Sequence, residues 1–541
     1  MKRRAFLTNT SLAVAGLTTT LLVTSSCTDK KTEPVAATKT DTAEDTFELN
    51  EITLTELQDK MDKGTYTSEQ ITQLYLDRIE AIDKNGPKLN AVIEINPDAL
   101  EIAKAMDKER KDGKIRSALH GIPILIKDNI DTADKMMTTA GAMALLGNKA
   151  SKDAFIVTQL REAGAVLLGK TNLSEWANFR STNSSSGWSS RGGQTKNPYI
   201  LDHSPCGSSS GSGAAVAANL CAIAVGTETD GSITCPASVS GGVGLKPTVG
   251  LVSRSGIIPI SSTQDTAGPI TRTVADAALL LEVLAGVDST DSVTKESMGK
   301  ATKYTKFLDI NGLKGKRIGV EKKKYTNQFL NDIQNKALEI LKKQGATIVE
   351  IEYLDSINAL GANELEVMQY EFKAGVNNYL ATANAKVKTL AEVIAFNKQN
   401  EDQAMPTFKQ EILETSETKN GLNDAQYTKA LAKSHLGSKQ ILDNIMQKNT
   451  LDAITGITMG PSCSIDTIYG DRWGDVFLTA PAAMSGYPHI TVPCGKTYDL
   501  PVGLSFFSGA YREGEIIAMA YSYEQATKHR EKPGFTKSFL V

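Results

Sequence analysis

Apolar and polar positions along this chain follow two periods. Seven short apolar runs have the length of buried strands: Ile122 to Ile126, Ala165 to Leu168, Cys221 to Val225, Lys316 to Val320, Ala346 to Ile351, Ala453 to Ile457 and His489 to Val492. Helical spacing fills much of the sequence between them, and strands alternating with helices predict an α/β fold. Ile52 to Lys84 predicts two helices. The second opens on a capping box, Thr67 with Gln70, and carries an apolar stripe of Ile71, Leu74, Tyr75, Ile79 and Ile82. Residues 295–450 are rich in Lys, Glu and Asn and mostly helical in pattern. No linker interrupts the chain beyond residue 50, so this long remainder reads as one large unit despite its length.

The first residues follow another pattern. MKRRAFLTNTSLAVAGLTTTLLVTSSC has a basic start (Lys2, Arg3, Arg4), an apolar stretch broken by threonines, and small residues before Cys27. That predicts an export signal over 1–26, twin-arginine-like at its start and lipobox-like at its end. Cys27 is the expected lipid-bearing N-terminus and the only expected membrane contact, with a plain cleaved signal as the alternative. Residues 27–48, polar over most of their length, read as a flexible tether, and 49–541 as the catalytic domain. The expected location is the periplasm or cell envelope of a bacterium.

Charge and cysteine usage narrow the partners. With 59 basic and 62 acidic residues the net charge is −3, and the signs are scattered, so there is no basic footprint for nucleic acid. Six cysteines include Cys27, leaving five. An odd number cannot pair completely, and buried free thiols are the default reading. A monomer is expected.

The candidate chemistry centres on Pro205 to Pro247. A Gly/Ser-rich loop (Cys206 to Gly213) leads into a helix-like run (Ala214 to Leu220), then a strand, then a second Gly/Ser turn, Thr229-Asp230-Gly231-Ser232. This order lets Ser208 and Ser232 return to one end of a sheet. Upstream, Lys127 ends the apolar run of His120 to Asp131. A lysine there is costly unless it is neutral or paired, with Asp128 or Asp131 as the available partners. None of the five histidines (His120, His203, His435, His489, His529) lies in a loop like those of known triads.

The segments GIPILIKDNID, CGSSSGSGAAVAA and GTETDGSITCP resemble those of the amidase signature enzymes, and CGSSSGSG, TETDGSITCP and GGQTKNPY are most similar to the bacterial peptide amidases. The resemblance extends through GYPHITVPCG and PVGLSFF. It implies a single large α/β domain with a mixed, twisted central sheet covered by helices on both faces. It also implies hydrolysis of a carboxylic amide to acid and ammonia, on C-terminal peptide amides, without metal or cofactor. In that pattern Ser232 is the nucleophile, Lys127 a neutral base, and Ser208, after a cis Gly207-Ser208 bond, relays the proton between them. Backbone N–H groups of Thr229, Asp230, Gly231 and Ser232 can form the oxyanion hole, as successive amides do in an anion-binding nest.

Two departures refine the substrate. Asp230 stands where the family often has glycine. No arginine follows the nucleophile in Ser232-Ile233-Thr234-Cys235-Pro236, which favours a neutral amide end over a free acid. Cys235 reads as a small core residue. Asp265 reads as support for the active-site loops, Trp188 and Arg191 as candidates for lining the cleft, and 295–450 as the part that shapes access.

Other readings compete. Gly207-Ser208-Ser209-Ser210-Gly211 matches the nucleophile elbow of α/β-hydrolases, with Ser209 central, but leaves Lys127 and Ser232 unexplained. Ser209 and Ser210 also suit a helix N-cap. The remaining alternatives are a broad aliphatic or aromatic amide hydrolase of the same family, a transamidosome glutaminase and a periplasmic solute-binding lipoprotein. A nucleotide loop is excluded by Val216 and by the lack of a Walker lysine.

Overall fold

A computed structural model of the chain describes residues 45–539, and the expected export signal, Cys27 and most of the tether lie outside these residues. From Thr46 onward the chain forms one compact unit, the single large α/β domain that the sequence pattern predicts.

Its centre is an 11-stranded sheet. In chain order the strands are β1 (Val92–Ile95), β2 (Pro123–Lys127), β3 (Val166–Thr171), β4 (Ile223–Glu228), β5 (Val243–Lys246) and β6 (Thr266–Thr271). They continue as β7 (Arg317–Glu321), β8 (Thr347–Ile351), β9 (Ala453–Ile457), β10 (His489–Thr497) and β11 (Leu500–Phe507). Across the sheet the order is β1-β3-β2-β4-β6-β5-β10-β11-β9-β7-β8. β2 runs parallel to β3 and β4, and β7 parallel to β8 and β9, whereas β6, β10 and β11 pair antiparallel. The sheet is therefore mixed, as expected.

All seven predicted strands are present. The four not predicted, β1, β5, β6 and β11, lack a continuous apolar run of the usual kind. β6 reads TAGPIT, and a proline normally argues against an interior strand. Here Pro269 pairs with Val225 of β4, while β5 reaches only to Ile270, so Pro269 needs no partner on its other side.

Local chemistry sets the helices. α1 (Leu54–Asp62) and α2 (Ser68–Arg78) each begin with a capping box, Thr53 with Glu56 and Thr67 with Gln70. The stripe buries Ile71 and Tyr75 of α2, and Ile79 just beyond its end, in the core. α3 (Ser210–Ala217) starts earlier than the Ala-rich pattern suggested and takes in half of the Gly/Ser loop. The reason is close packing. A Cβ on Gly211 would collide with the carbonyls of Ala91 and Asn172, and one on Gly213 would lie 2.9 Å from the carbonyl of Pro236, so these glycines let α3 press onto its neighbours. Neither Ser209 nor Ser210 caps α3. The Ser209 hydroxyl bonds to Thr227 of β4, and that of Ser210 to the carbonyl of Cys206.

Gly211→Ala should therefore cost about 1–3 kcal/mol or more of stability, measured by denaturant unfolding, because backbone rather than a flexible side chain must give way. An unchanged midpoint would show that α3 can move aside.

Candidate active site

β2 ends on Lys127 in the interior of the sheet, between β3 and β4, and all five of its residues are buried. The amine is therefore fully buried. It donates to the Ser208 hydroxyl (2.8 Å), the Thr227 hydroxyl (2.8 Å) and the Thr227 carbonyl (3.2 Å). Asn129 donates to the same Thr227 hydroxyl at 3.0 Å. Neither carboxylate proposed as a partner reaches the lysine. Asp128 takes Thr139 and Arg191, and Asp131 takes the Tyr379 hydroxyl. Burial pulls the Lys127 pKa down to about 7, against the opposing charges of Asp265 and Glu228.

Ser208 is fully buried and follows a cis Gly207-Ser208 peptide bond. Ser232 lies in the turn between β4 and α4 (Thr234–Val239). Glu228 at the end of β4 shapes that turn by accepting from the N–H groups of Ile233 (2.8 Å) and Thr234 (2.9 Å) at the start of α4. Gly231 sits at φ 76° with Phe477 and Thr479 against it, a conformation and a space that favour glycine. Thr479 donates to Asp230, and Thr229 donates to Asp265 (2.5 Å), which also accepts from Ile260 and Ser261 N–H. Gln264 reaches the Thr229 carbonyl at 3.4 Å. Held in this way, the N–H groups of Thr229, Asp230, Gly231 and Ser232 find no acceptor among the described residues.

The two serine loops meet directly. Ser209 N–H donates to the Ser232 carbonyl at 3.1 Å, and a disulfide joins Cys206 to Cys235 with 6.0 Å between Cα atoms. This corrects the reading of cysteines as free thiols and of Cys235 as a mere core residue. Five remaining cysteines exclude complete pairing but not one pair. Cys221, Cys463 and Cys494 are free. The Ser232 hydroxyl makes no hydrogen bond within the described residues. Lys127 and Ser208 are thus in direct contact, and Ser232 is linked to them through the backbone bond from Ser209.

Ser209 is excluded as a nucleophile elbow, since its hydroxyl is buried and committed to the Thr227 backbone. No histidine approaches the serines: His120 bonds the Met106 carbonyl, His203 bonds Asp202, His435 the Met484 carbonyl and His489 Ser505. Arg191 is spent on Asp128 and Glu94. Trp188 packs edge-on against Phe408 (5.6 Å) with the Arg180 guanidinium 4.8 Å from its ring centroid.

A cavity of about 590 Å³ opens on Thr227, which bonds Lys127, while Lys127, Ser208 and Ser232 themselves do not line it. Asn129, Thr227, Thr229 and Asp265 line one end, and Ile257, Ile258, Pro259 and Ile260 a largely apolar wall. Its far side is the long helix α5 (Gly361–Thr382), through Glu371, Ala374, Gly375 and Tyr379. Thr227, Asn129 and Glu228 lie within the quoted motifs but were not singled out. Gln264, Phe477 and Thr479 carry no local signal and are found only through the fold.

Comparison with known proteins places the chain. The amidase family model matches residues 70–517. The chain belongs to the amidase family. It is an amide hydrolase, which sets aside the solute-binding lipoprotein. The native peptide amidase of Stenotrophomonas maltophilia is 47% identical, with a TM-score of 0.86 over 90% of this chain and 99% of that one. An Arabidopsis thaliana protein named as a probable amidase is 41% identical over 91% of this chain and 93% of its own length. A putative amidase of Schizosaccharomyces pombe is 37% identical over 90% of this chain and 87% of its own length. The expected location is corrected by these relatives. Amidases of a plant and of fungi match over about nine-tenths of the chain, so a bacterial periplasmic or envelope lipoprotein is not supported.

The buried lysine leaves a mark on stability. Below about pH 7 both folded and unfolded states hold its proton, and the fold bears the full cost of burying a cation. Between about 7 and the ordinary value of 10.5 the unfolded chain keeps a proton that the folded protein has released, so stability rises with pH. Relative to Lys127→Met, the wild type should gain about 1.4 kcal/mol per pH unit from pH 7 to 9 in urea unfolding. A difference independent of pH would place the lysine's proton elsewhere.

Proposed function

We propose that the enzyme removes the C-terminal amide of peptides through an acyl-enzyme on Ser232, with Lys127 as base and Ser208 as relay. The observation that carries this reading is the Lys127 amine, bonded to the Ser208 hydroxyl and, among the described residues, to no carboxylate. A neutral amine can accept the Ser208 proton while Ser208 accepts that of Ser232, whose Oγ attacks the amide carbonyl. The oxyanion then meets the free N–H groups of the 229–232 turn. On collapse the proton returns through Ser208 to the leaving nitrogen, which departs as ammonia. Water repeats the sequence on the ester and releases the acid. The relay needs the Ser232 hydroxyl to donate to Ser208 Oγ, a contact of the kind that commonly tightens only in the reacting complex.

The substrate class follows from what surrounds Ser232. No cation lies in the segment after it, and the neighbouring carboxyl of Asp230 is pushed up, chiefly by burial, with the Thr479 hydroxyl opposing and Glu228 adding to the rise. A neutral carboxamide suits this setting better than a carboxylate. The largely apolar cavity beside Thr227 and Thr229 offers room for the acyl side of a peptide. Similarity to the Stenotrophomonas peptide amidase supports the same assignment.

Ammonia release from peptide amides, free peptides and small aliphatic or aromatic amides tests it. Peptide amides should give the highest kcat/KM; small amides outrunning them would assign a broad amide hydrolase instead. Ser232→Ala should lose about 10⁴-fold or more in kcat, and Ser208→Ala about 10²–10⁴-fold. Ser209→Ala should keep turnover and lose stability.

The pH profile is the second check. The base works only when neutral, so kcat/KM should rise about tenfold per pH unit below the Lys127 pKa and level off above about 7. A rate unchanged from pH 5.5 to 9 would contradict a lysine base.

A further inference from the structure

The Cys206–Cys235 disulfide has no part in the chemistry above, yet it spans the site. Cys206 lies two residues before Ser208, and Cys235 three residues after Ser232, in the first turn of α4. Both cysteines are buried, in a small apolar cluster with Val239 and Met459 against which Trp473 packs.

The two sides of the serine pair are fastened unequally. Ser208 is held to Lys127, and Lys127 to Thr227, by hydrogen bonds from one amine. Among the described residues Ser232 has no side-chain bond, and the single direct hydrogen bond between its loop and that of Ser208 is the backbone contact from Ser209. The register of one hydroxyl on the other therefore rests on the backbones that carry them, and the disulfide is the covalent tie between those backbones.

We propose that Cys206 and Cys235 are positioning residues, whose disulfide holds Ser232 in proton-transfer register with Ser208, so that turnover depends on it while substrate binding does not. The proposal rests on the assignment of Ser232 and Ser208 given above. Its physical basis is that two thiols cannot sit as close as two bonded sulfurs. Breaking the bond moves the flanking segments apart, and a misplacement of about 1 Å at reacting groups can cost about 10²-fold in rate.

The test uses the full-length enzyme. Dithiothreitol supplies two electrons and two protons: the S–S bond breaks, each cysteine ends as a thiol, and the reductant leaves as its cyclic disulfide. Reduction is followed as a gain of two titratable thiols over the free cysteines. The reduced wild type and the untreated double variant Cys206→Ser/Cys235→Ser, which cannot form the bond, are then assayed on a peptide amide beside the oxidised wild type. The expected result is a fall in kcat of about 10–100-fold in both, KM within about threefold, and a pH midpoint that does not move. Circular dichroism should show both folded at the assay temperature, and reoxidation should restore the wild type but not the variant.

A reduced enzyme that keeps its kcat overturns the proposal, as does a loss carried by KM, or one that tracks only the loss of folded protein. Ser232→Ala with its disulfide intact, run in the same series, separates the two claims. If that variant turns over, the assignment of the nucleophile fails. If it is inactive while the reduced wild type runs at full rate, the positioning role alone fails.

Discussion

An amine placed where water cannot follow is the constraint on which this site depends. Lys127 sits at the end of an interior strand with only hydroxyl and carbonyl oxygens around it. Holding it near pH 7 rather than 10.5 corresponds to roughly 5 kcal/mol against the cation. A fold can carry that cost because the proton is simply released. An ion pair would have kept the charge and removed the base. The sheet enforces the outcome by spending the nearby carboxylates elsewhere: Asp128 on Arg191, Asp131 on Tyr379, Asp265 on Thr229 and the 260–261 backbone, Glu228 on the start of α4.

Two of those carboxylates, Glu228 and Asp265, also brace the turn that bears Ser232. Glu228 folds the chain from β4 into α4, Asp265 holds Thr229, and Thr479 meets Asp230 from more than 200 residues downstream. The burial that neutralises Lys127 and the bracing that leaves four N–H groups without acceptors among the described residues are thus one arrangement. Contact with α5 extends it to the cavity, where Glu371 accepts from Ser261 and Thr263 and so ties the apolar wall to the region that most separates this chain from the motifs.

Much of this was legible in the sequence for physical reasons. Buried parallel strands write continuous apolar runs, so β2, β3 and β4 could be located, and with them Lys127. Capping boxes are local, and Thr67 with Gln70 declared itself. The unread parts depend on tertiary packing. β6 hides behind a Gly-Pro pair whose tolerance depends on where β5 stops. α3 begins inside what reads as a flexible loop because Gly211 and Gly213 serve close approach rather than freedom. The disulfide could not be deduced, because cysteine counting says how many can pair and not which. The bacterial envelope location failed for a different reason: it rested on residues outside the domain that the comparisons match.

The most direct measurement is the site of the acyl group during turnover. Acid quenching of the enzyme with a peptide amide in the steady state, followed by proteolysis and mass spectrometry, should find the acyl mass on the peptide that contains Ser232, and none in Lys127→Met. An acyl mass on Ser209, or the same adduct at the same rate without the lysine, would contradict the account.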